Sequence, residues 1–193
     1  MDIHRKTEIS KFLSYVLRHN PGEVGISLSA DGWASIDELI VRLQHRYPEF
    51  DEQVLCEIVQ QDAKQRYRIS GRLIRAQQGH SIAVRVGSLS QPPKVLFHGT
   101  TLERWNAIQE DGAVMPMSRQ HVHLSASIHT AIQVAGRRRG ETHVVLAIRA
   151  AEMYESGHEF LLSGNGVWLT GPIPTGFIDV DLTTIDSSKV PAK

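Results

Sequence analysis

The sequence predicts an α+β protein of two units, residues 1–88 and 89–193. The first observation behind this prediction is a series of amphipathic helical segments followed by a single hairpin pattern. The second is the segment GSLSQPPK, residues 87–94, whose Gly, Ser and paired Pro cannot hold a helix or an inner strand. The third is a set of alternating and β-branched segments beyond this linker, which predicts a largely antiparallel sheet.

The first unit is predicted to contain three helices and a hairpin. Its first helix ends at Asn20-Pro21, and Ser35 and Asp51 are predicted N-caps of the next two helices. The segments RYRI and RLIRA, joined by a Ser-Gly turn, predict a β-hairpin. This order indicates a winged helix-turn-helix. Apolar residues at helical spacing line the first helix at Ile9, Phe12, Leu13, Val16 and Leu17.

The second unit is predicted to mix strands with short helices. VLFHGT, residues 95–100, predicts a strand that ends in a polar turn, and Thr101 is a predicted helix cap. HVHLS, residues 121–125, predicts a strand, and Ser127 a further helix cap. THVVLAIRA, GVWLT and FIDV predict later strands, whereas the segment beyond Val180 predicts a polar tail.

Composition limits the possible classes of protein. The 193 residues are 41% hydrophobic and 22% charged, with no apolar run of membrane-spanning length and no signal-peptide pattern. The single cysteine, Cys56, excludes an internal disulfide framework, so we expect a cytoplasmic protein. Net charge is zero, yet 15 of the 21 basic residues are arginine, which suits two-pronged recognition of phosphate. Two stretches, residues 64–75 and 119–139, are basic without any acidic residue.

Several chemistries are disfavoured by missing motifs. There is no GxGxxG after a strand and no GxxxxGK[ST], GxSxG, CxxC or HExxH. His121 and His123 would face one side of a strand, but a third metal ligand is not apparent. We therefore expect no metal, and favour polar or stacking histidines near a phosphate.

Four short segments each allow a structural or a functional interpretation. Arg18-His19 ends a core helix, where cations also suit the negative end of the helix dipole. HGTT, residues 98–101, is either a capped turn or a turn that holds ribose or phosphate. QGHS, residues 78–81, favours an anion cradle over a plain loop, and RRR, residues 137–139, favours a solvated helix end over steering of an anionic substrate.

Six segments occur in an order that resembles one known family. They are LSYVLRHNP, KQRY, RAQQGHS, LFHGT, MSRQHVHLS and NGVWLT, and together they resemble the RNA 2′-phosphotransferase family of KptA type from about Ser10 to about Val180. The resemblance implies an N-terminal winged-helix lobe that binds RNA. It also implies a C-terminal lobe similar to the NAD-binding fold of ADP-ribosyltransferases, with the active site in the cleft between the lobes.

The resemblance further implies an activity and its residues. The family removes an internal RNA 2′-phosphate, such as the one left after tRNA ligation in splicing, with NAD as co-substrate and phosphate acceptor. Its essential Arg-His-Arg-Arg set maps onto Arg18, His19, Arg66 and Arg119. The implied ADP-ribose contacts are His98, Gly99, Thr100, Thr101 and Ser125, and the implied substrate contacts are Arg68, Gln78, Gly79, His80, Ser81, His121 and His123.

Alternatives remain open at this point. His19 either transfers a proton or hydrogen-bonds the phosphate. One rival function is an ADP-ribosyltransferase that acts on nucleic-acid phosphates or another acceptor and stops after the first step. Another is a winged-helix binder with a non-catalytic second lobe, which the acidic segment 52–62 disfavours because a DNA-reading helix needs basic and amide side chains. The expected partners are NAD and a tRNA-like RNA with an internal 2′-phosphate, the expected state is a monomer, and no membrane partner is expected.

Overall fold

The computed structural model describes residues 2–137 and 140–185, and the side chains up to residue 180. The chain divides into two compact units. The first comprises Met1–Gly87 together with Ser118–Gln120, and the second comprises Ser88–Met117 and His121–Lys193. The sequence patterns did not predict that Ser118–Gln120 would join the first unit. No helix in the described part of the chain is long and apolar enough to cross a membrane.

The first unit contains the three predicted helices and the predicted hairpin, with a short additional strand. A 3-10 helix, Pro21–Val24, follows the first α-helix. The three strands form one antiparallel sheet in the order β1-β3-β2. The elements are α1 Ile3–Arg18, β1 Ala34–Ser35, α2 Ile36–Gln44, α3 Glu52–Gln60, β2 Tyr67–Ser70 and β3 Leu73–Ala76.

Local sequence explains where these helices begin. The Ser35 side chain accepts a hydrogen bond from the Glu38 N–H, and the Asp51 carboxylate accepts one from the Val54 N–H at 2.8 Å, so both predicted caps are confirmed. The apolar face of α1 is confirmed as well, since four of its five predicted positions are fully buried and Phe12 packs against the same core. This core fixes the C-terminal end of α1, where Arg18 and His19 lie.

The described residues of the second unit form three antiparallel sheets, so the predicted α+β class with antiparallel sheets is confirmed. The strands are β4 Ser88–Leu89, β5 Leu96–Thr101, β6 Ala113–Val114, β7 Val122–Leu124, β8 His143–Ile148, β9 Phe160–Leu162, β10 Trp168–Thr170, β11 Ile173–Pro174 and β12 Ile178–Ile185. They pair in the orders β4-β9-β10-β7, β11-β6 and β12-β8-β5. The helices are α4 Leu102–Asp111, α5 Ile128–Ala135 and α6 Ala150–Glu155, and a 3-10 helix spans Thr175–Phe177.

Two local predictions for the second unit were wrong. HGTT is not a turn, because residues 98–101 all pair with β8 inside strand β5. The linker holds only the short strand β4 at the edge of its sheet, which agrees with the prediction that this segment cannot form an inner strand. The predicted polar tail begins too early, since β12 continues to Ile185. Residues 186–193 of that tail, and Arg138 and Arg139 of the RRR segment, lie outside the described residues.

Candidate active site

The end of helix α1 presents a half-buried arginine whose donors are not satisfied. Nε and Nη2 of Arg18 are buried and have no hydrogen-bond partner among the residues that the structure describes. A buried donor left without a partner costs about 1–3 kcal/mol. A cation that served only the helix dipole would gain less than this and would be expected in solvent. The geometry therefore favours an anionic ligand at Arg18.

The QGHS segment packs directly on this arginine. Gly79 has a φ of +90°, and a Cβ built at this position would lie 3.6 Å from both Cζ and Nε of Arg18. The Ser81 N–H donates to the Arg18 carbonyl at 3.0 Å, which satisfies one of the last carbonyls of α1. The segment thus positions the arginine and closes one side of it. Gln78 is half-buried, and His80 is only 2% exposed.

His19 is held by the same segment. Its Nδ1 lies 3.0 Å from Oγ of Ser81. When Nδ1–H donates to this hydroxyl, Nε2 is left as a hydrogen-bond and proton acceptor. Burial lowers the pKa of His19, and the charges of Arg18 and Arg119 lower it further. Both effects stabilise the neutral imidazole relative to the charged form.

Arg66 enters the site from the segment between α3 and β2. Its guanidinium forms an ion pair with Asp62, whose side chain is only 4% exposed. The Asp62 carboxylate also accepts the Arg66 N–H at 2.5 Å and the Lys64 N–H at 3.3 Å. Gln65 has a φ of +46°, and its carbonyl accepts a hydrogen bond from Gln77 Nε2 at 2.8 Å. Sequence reasoning missed Asp62 and Gln77, although an aspartate four residues before an arginine is a possible ion pair.

Arg119 reaches the first unit through the segment Ser118–Gln120. The Gln120 N–H donates to the His80 carbonyl at 2.9 Å, which fixes this segment beside QGHS. Burial lowers the pKa of Arg18, and the charges of Arg66 and Arg119 act in the same direction. The structure therefore brings all four members of the predicted Arg-His-Arg-Arg set into one electropositive cluster.

Arg68 lies in a different setting from Arg66. Strand β2 begins at Tyr67, so Arg66 directly precedes the strand and Arg68 lies within it. Tyr67 is buried, and its hydroxyl contacts Ser14 of α1 at 2.6 Å. Arg68 is exposed and stands opposite Arg75 in the hairpin.

In the second unit, HGTT lies on an edge strand under helix α5. A Cβ at Gly99 would lie 2.1 Å from the Ala131 carbonyl oxygen, so this glycine permits close packing of helix on strand. His98 Nδ1–H donates to the His123 carbonyl at 3.1 Å, which orients the ring. Thr100 is half-buried, whereas Thr101 is 2% exposed and its hydroxyl caps α4 by accepting the Arg104 N–H.

Ser125 joins the same region to the start of α5. Its backbone exchanges two hydrogen bonds with Phe97 of β5, at 2.8 and 2.9 Å. Its hydroxyl donates to the Ser127 carbonyl and accepts the Ser127 N–H. His98, Thr100 and Ser125 thus present an oriented imidazole and two half-buried hydroxyls beside the edge strand β5, which are groups able to hydrogen-bond a polar ligand.

The two histidines of HVHLS are not equivalent. His123 lies within β7 between buried Val122 and Leu124, whereas His121 precedes the strand. Burial lowers the pKa of His121. Within residues 2–137 and 140–185, no group of three or more His, Cys, Asp or Glu side chains could hold a metal ion.

The described part of the chain is thus an α+β protein whose first unit gathers three arginines and a histidine at the end of α1. The sequence profile described as RNA 2′-phosphotransferase, Tpt1 / KptA family, matches residues 4–171. The chain belongs to this family and is accordingly a transferase. The predicted family resemblance is thus confirmed.

Curated relatives agree over nearly the full length. A probable RNA 2′-phosphotransferase of Rhizobium johnstonii is 42% identical over 179 residues, which cover 92% of this chain and 96% of the relative. Probable RNA 2′-phosphotransferases of Rhizobium rhizogenes and Pseudomonas aeruginosa are each 45% identical. The first alignment covers 90% of this chain and 92% of the relative, and the second covers 92% and 98%.

Proposed function

We propose that this chain removes an internal 2′-phosphate from RNA and transfers it to NAD. The observation that carries the proposal is the Arg18 guanidinium, which has buried, unsatisfied donors beside two further arginines and His19. A phosphomonoester with nearly two negative charges would satisfy those donors and neutralise the cluster. The family and the names of its curated relatives support RNA as the molecule that carries this phosphate.

The proposal assigns a role to each unit. The first unit, with three helices and a hairpin, is proposed to act as a winged-helix lobe that binds RNA. The second unit is proposed to act as an ADP-ribosyltransferase-like lobe that binds NAD through His98, Gly99, Thr100, Thr101 and Ser125. Gly99 would contribute by its backbone and by the close packing of α5, and Thr101 by positioning α4. A monomer that acts in the cytoplasm is part of the same proposal.

In the proposed first step, an oxygen of the RNA 2′-phosphate attacks the ribose carbon that bears nicotinamide. The bond from this carbon to nicotinamide breaks, and an RNA with 2′-phospho-ADP-ribose results. The ionised phosphate needs no general base for this attack. Arg18, Arg66 and Arg119 would hold it in position, and forked guanidinium donors suit that task.

In the proposed second step, the neighbouring ribose hydroxyl attacks phosphorus and the bond to the RNA 2′ oxygen breaks. The products are RNA with a free 2′-hydroxyl and ADP-ribose 1″,2″-cyclic phosphate. The hydroxyl proton finally resides on the departing RNA oxygen, so the step is neutral in protons. His19 is proposed to carry this proton through Nε2, because its lowered pKa favours the neutral form and Ser81 holds Nδ1.

The test uses a short RNA with one internal 2′-phosphate, incubated with the protein and NAD. We expect loss of the phosphate only when NAD is present, together with equimolar nicotinamide and the cyclic phosphate product, as followed by gel and mass spectrometry. RNA that gains ADP-ribose and keeps it would replace the proposal by an ADP-ribosyltransferase that stops after the first step. Unchanged RNA with unchanged NAD would contradict the proposal as a whole.

A further inference from the structure

The hairpin of the first unit contains a like-charged pair that is separate from the Arg-His-Arg-Arg cluster. Arg68 of β2 stands opposite Arg75 of β3 in the antiparallel register. Like charges at directly opposed positions destabilise a hairpin. Within the described residues, neither arginine forms an ion pair with a carboxylate. Asp31 lies close to Arg75, but its carboxylate pairs with Arg85 at 3.0 Å, and only its backbone carbonyl accepts Arg75 Nη1, at 3.3 Å.

Arg75 is held in place and is only partly satisfied. Its guanidinium carbon lies 4.6 Å from the centroid of the Trp33 ring, a cation–π arrangement that restricts the side chain. Its Nε is buried and has no hydrogen-bond partner in the described part of the chain. Burial lowers the pKa of Arg75, Arg68 lowers it further, and Asp31 only partly opposes them. A positioned guanidinium with a spare buried donor favours an anionic ligand.

A third arginine of the hairpin, in contrast, forms ion pairs within the protein. Arg72 lies in the turn between β2 and β3 and forms ion pairs with Asp37 and Glu52. Its charge is therefore used within the protein. An arginine in this hairpin can therefore have carboxylate partners, and the hairpin structure alone does not explain why Arg68 and Arg75 have none in the described residues.

The position of the pair relative to the active site points to its ligand. The Gln77 N–H donates to the Arg66 carbonyl, so Arg66 and Gln77 continue the ladder that pairs Arg68 with Arg75. Arg66 and Arg68 are two residues apart, which is about 6.6 Å along an extended chain. An RNA strand that placed its 2′-phosphate at Arg66 would carry its next backbone phosphates past this part of the hairpin.

We propose that Arg68 and Arg75 form a second phosphate subsite, which binds the phosphodiester backbone of the RNA next to the 2′-phosphate. This inference rests on RNA being the substrate of the proposed function. The subsite would recognise charge and spacing and not base identity, because guanidinium contacts to phosphate carry no sequence information. Its role is to raise affinity for an oligonucleotide over that for a single 2′-phosphorylated linkage.

The test compares two RNAs, a dinucleotide with a 2′-phosphate and an octanucleotide that extends it on both sides. Arg68→Gln and Arg75→Gln are compared with Arg72→Gln, which removes the same charge from the same hairpin. We expect each of the first two variants to weaken octanucleotide binding roughly five- to tenfold, and to reduce its salt dependence by about one phosphate contact. Dinucleotide and NAD affinities should stay unchanged, and Arg72→Gln should bind both RNAs as the parent protein does.

Three results would overturn the subsite. Unchanged octanucleotide affinity in both variants would show that the two arginines do not bind the RNA backbone. An equal loss of affinity for both RNAs would show that they bind the reacting 2′-phosphate instead. Loss of NAD affinity would indicate a pyrophosphate site instead. Arg68→Gln is the decisive variant if Arg75→Gln unfolds, since Arg68 is exposed and makes no packing contact with Trp33 of the kind that Arg75 makes.

The same binding series separates this inference from the proposed function. It is repeated with an octanucleotide that lacks the 2′-phosphate, and it requires no turnover. Weaker binding by the two variants together with an inactive parent protein would support the subsite while contradicting the transferase reaction. An active parent protein, together with variants whose octanucleotide affinity is unchanged, would support the transferase reaction while contradicting the subsite.

Discussion

Gly99→Ala tests the close approach of helix α5 to strand β5. The added Cβ would lie 2.1 Å from the Ala131 carbonyl oxygen and 3.0 Å from the Ala135 N atom, and both are backbone atoms. An ordinary contact needs more than 3.4 Å, so the helix must move by more than 1 Å. Ala131 and Ala135 are already small and buried, so a rotamer change cannot relieve the clash.

The magnitude follows from overpacking. Forcing atoms into a packed interior costs about 1–3 kcal/mol, and a clash with backbone lies at the upper end of that range. For a protein of this size, each kcal/mol lowers the melting temperature by about 2–4 °C. Gly99→Ala should therefore melt roughly 5–10 °C below the parent protein.

Gly171→Ala is the matched control for the same assay. Gly171 also lies in the second unit, no atom lies within 4 Å of its ideal Cβ, and its φ is not in the left-handed region. We expect this variant to melt at or slightly above the parent temperature, because alanine restricts the unfolded chain more than glycine does. Thermal unfolding followed by circular dichroism measures both. Gly99→Ala and Gly171→Ala melting within 1 °C of each other would refute the packing argument.

Three further predictions concern the first unit. Arg18→Gln should raise the pKa of His19, because it removes a cation that lowers this pKa, and inorganic phosphate should raise it in the parent protein; imidazole chemical shifts against pH measure both. Arg18→Ala should lower kcat/KM by roughly a hundredfold or more without lowering the unfolding midpoint, since two unsatisfied buried donors leave with the side chain. Asp62→Asn should lower kcat/KM for RNA roughly ten- to hundredfold at unchanged NAD affinity, because Arg66 loses its ion-pair partner.

Each of these has a result that would contradict it. A His19 pKa that is unmoved by Arg18→Gln would mean that their charges do not interact. Cooperative unfolding lost in Arg18→Ala would restore the helix-end interpretation of this residue. Full activity in Asp62→Asn would show that Arg66 needs no carboxylate partner. Arg72→Gln is the control for Asp62→Asn, because it breaks exposed ion pairs in the same unit and should leave kcat/KM unchanged.

The sequence predicted the parts of the first unit that depend on local chemistry. Apolar spacing gave helix α1, and capping residues gave the starts of α2 and α3. The site residues Arg18 and His19 were suggested by an unusual helix end and selected by the family pattern. Arg119 could be selected only by that pattern, since its segment joins the first unit although both flanking segments belong to the second.

What the sequence could not predict depends on contacts between distant residues. Gly99 was predicted to lie in a turn, but a glycine is needed there because the backbone of Ala131, thirty-two residues later in the chain, packs against it. Asp62 was overlooked because its contacts to Arg66 and to two backbone N–H groups form in a loop where Gln65 has a φ of +46°, a conformation that no propensity predicts for glutamine. The pairing of Arg68 with Arg75 needed the register of the hairpin, which its turn fixes.

The stacking of Arg75 on Trp33 has a practical consequence for spectroscopy. The chain has three tryptophans, and Trp105 and Trp168 lie in the hydrophobic core of the second unit. Trp33 is the partly buried one, with a guanidinium over its ring. Its emission is therefore sensitive to whatever moves or neutralises that cation. The protein carries an intrinsic fluorophore at the hairpin of its first unit, so occupancy there can be titrated without attaching a dye.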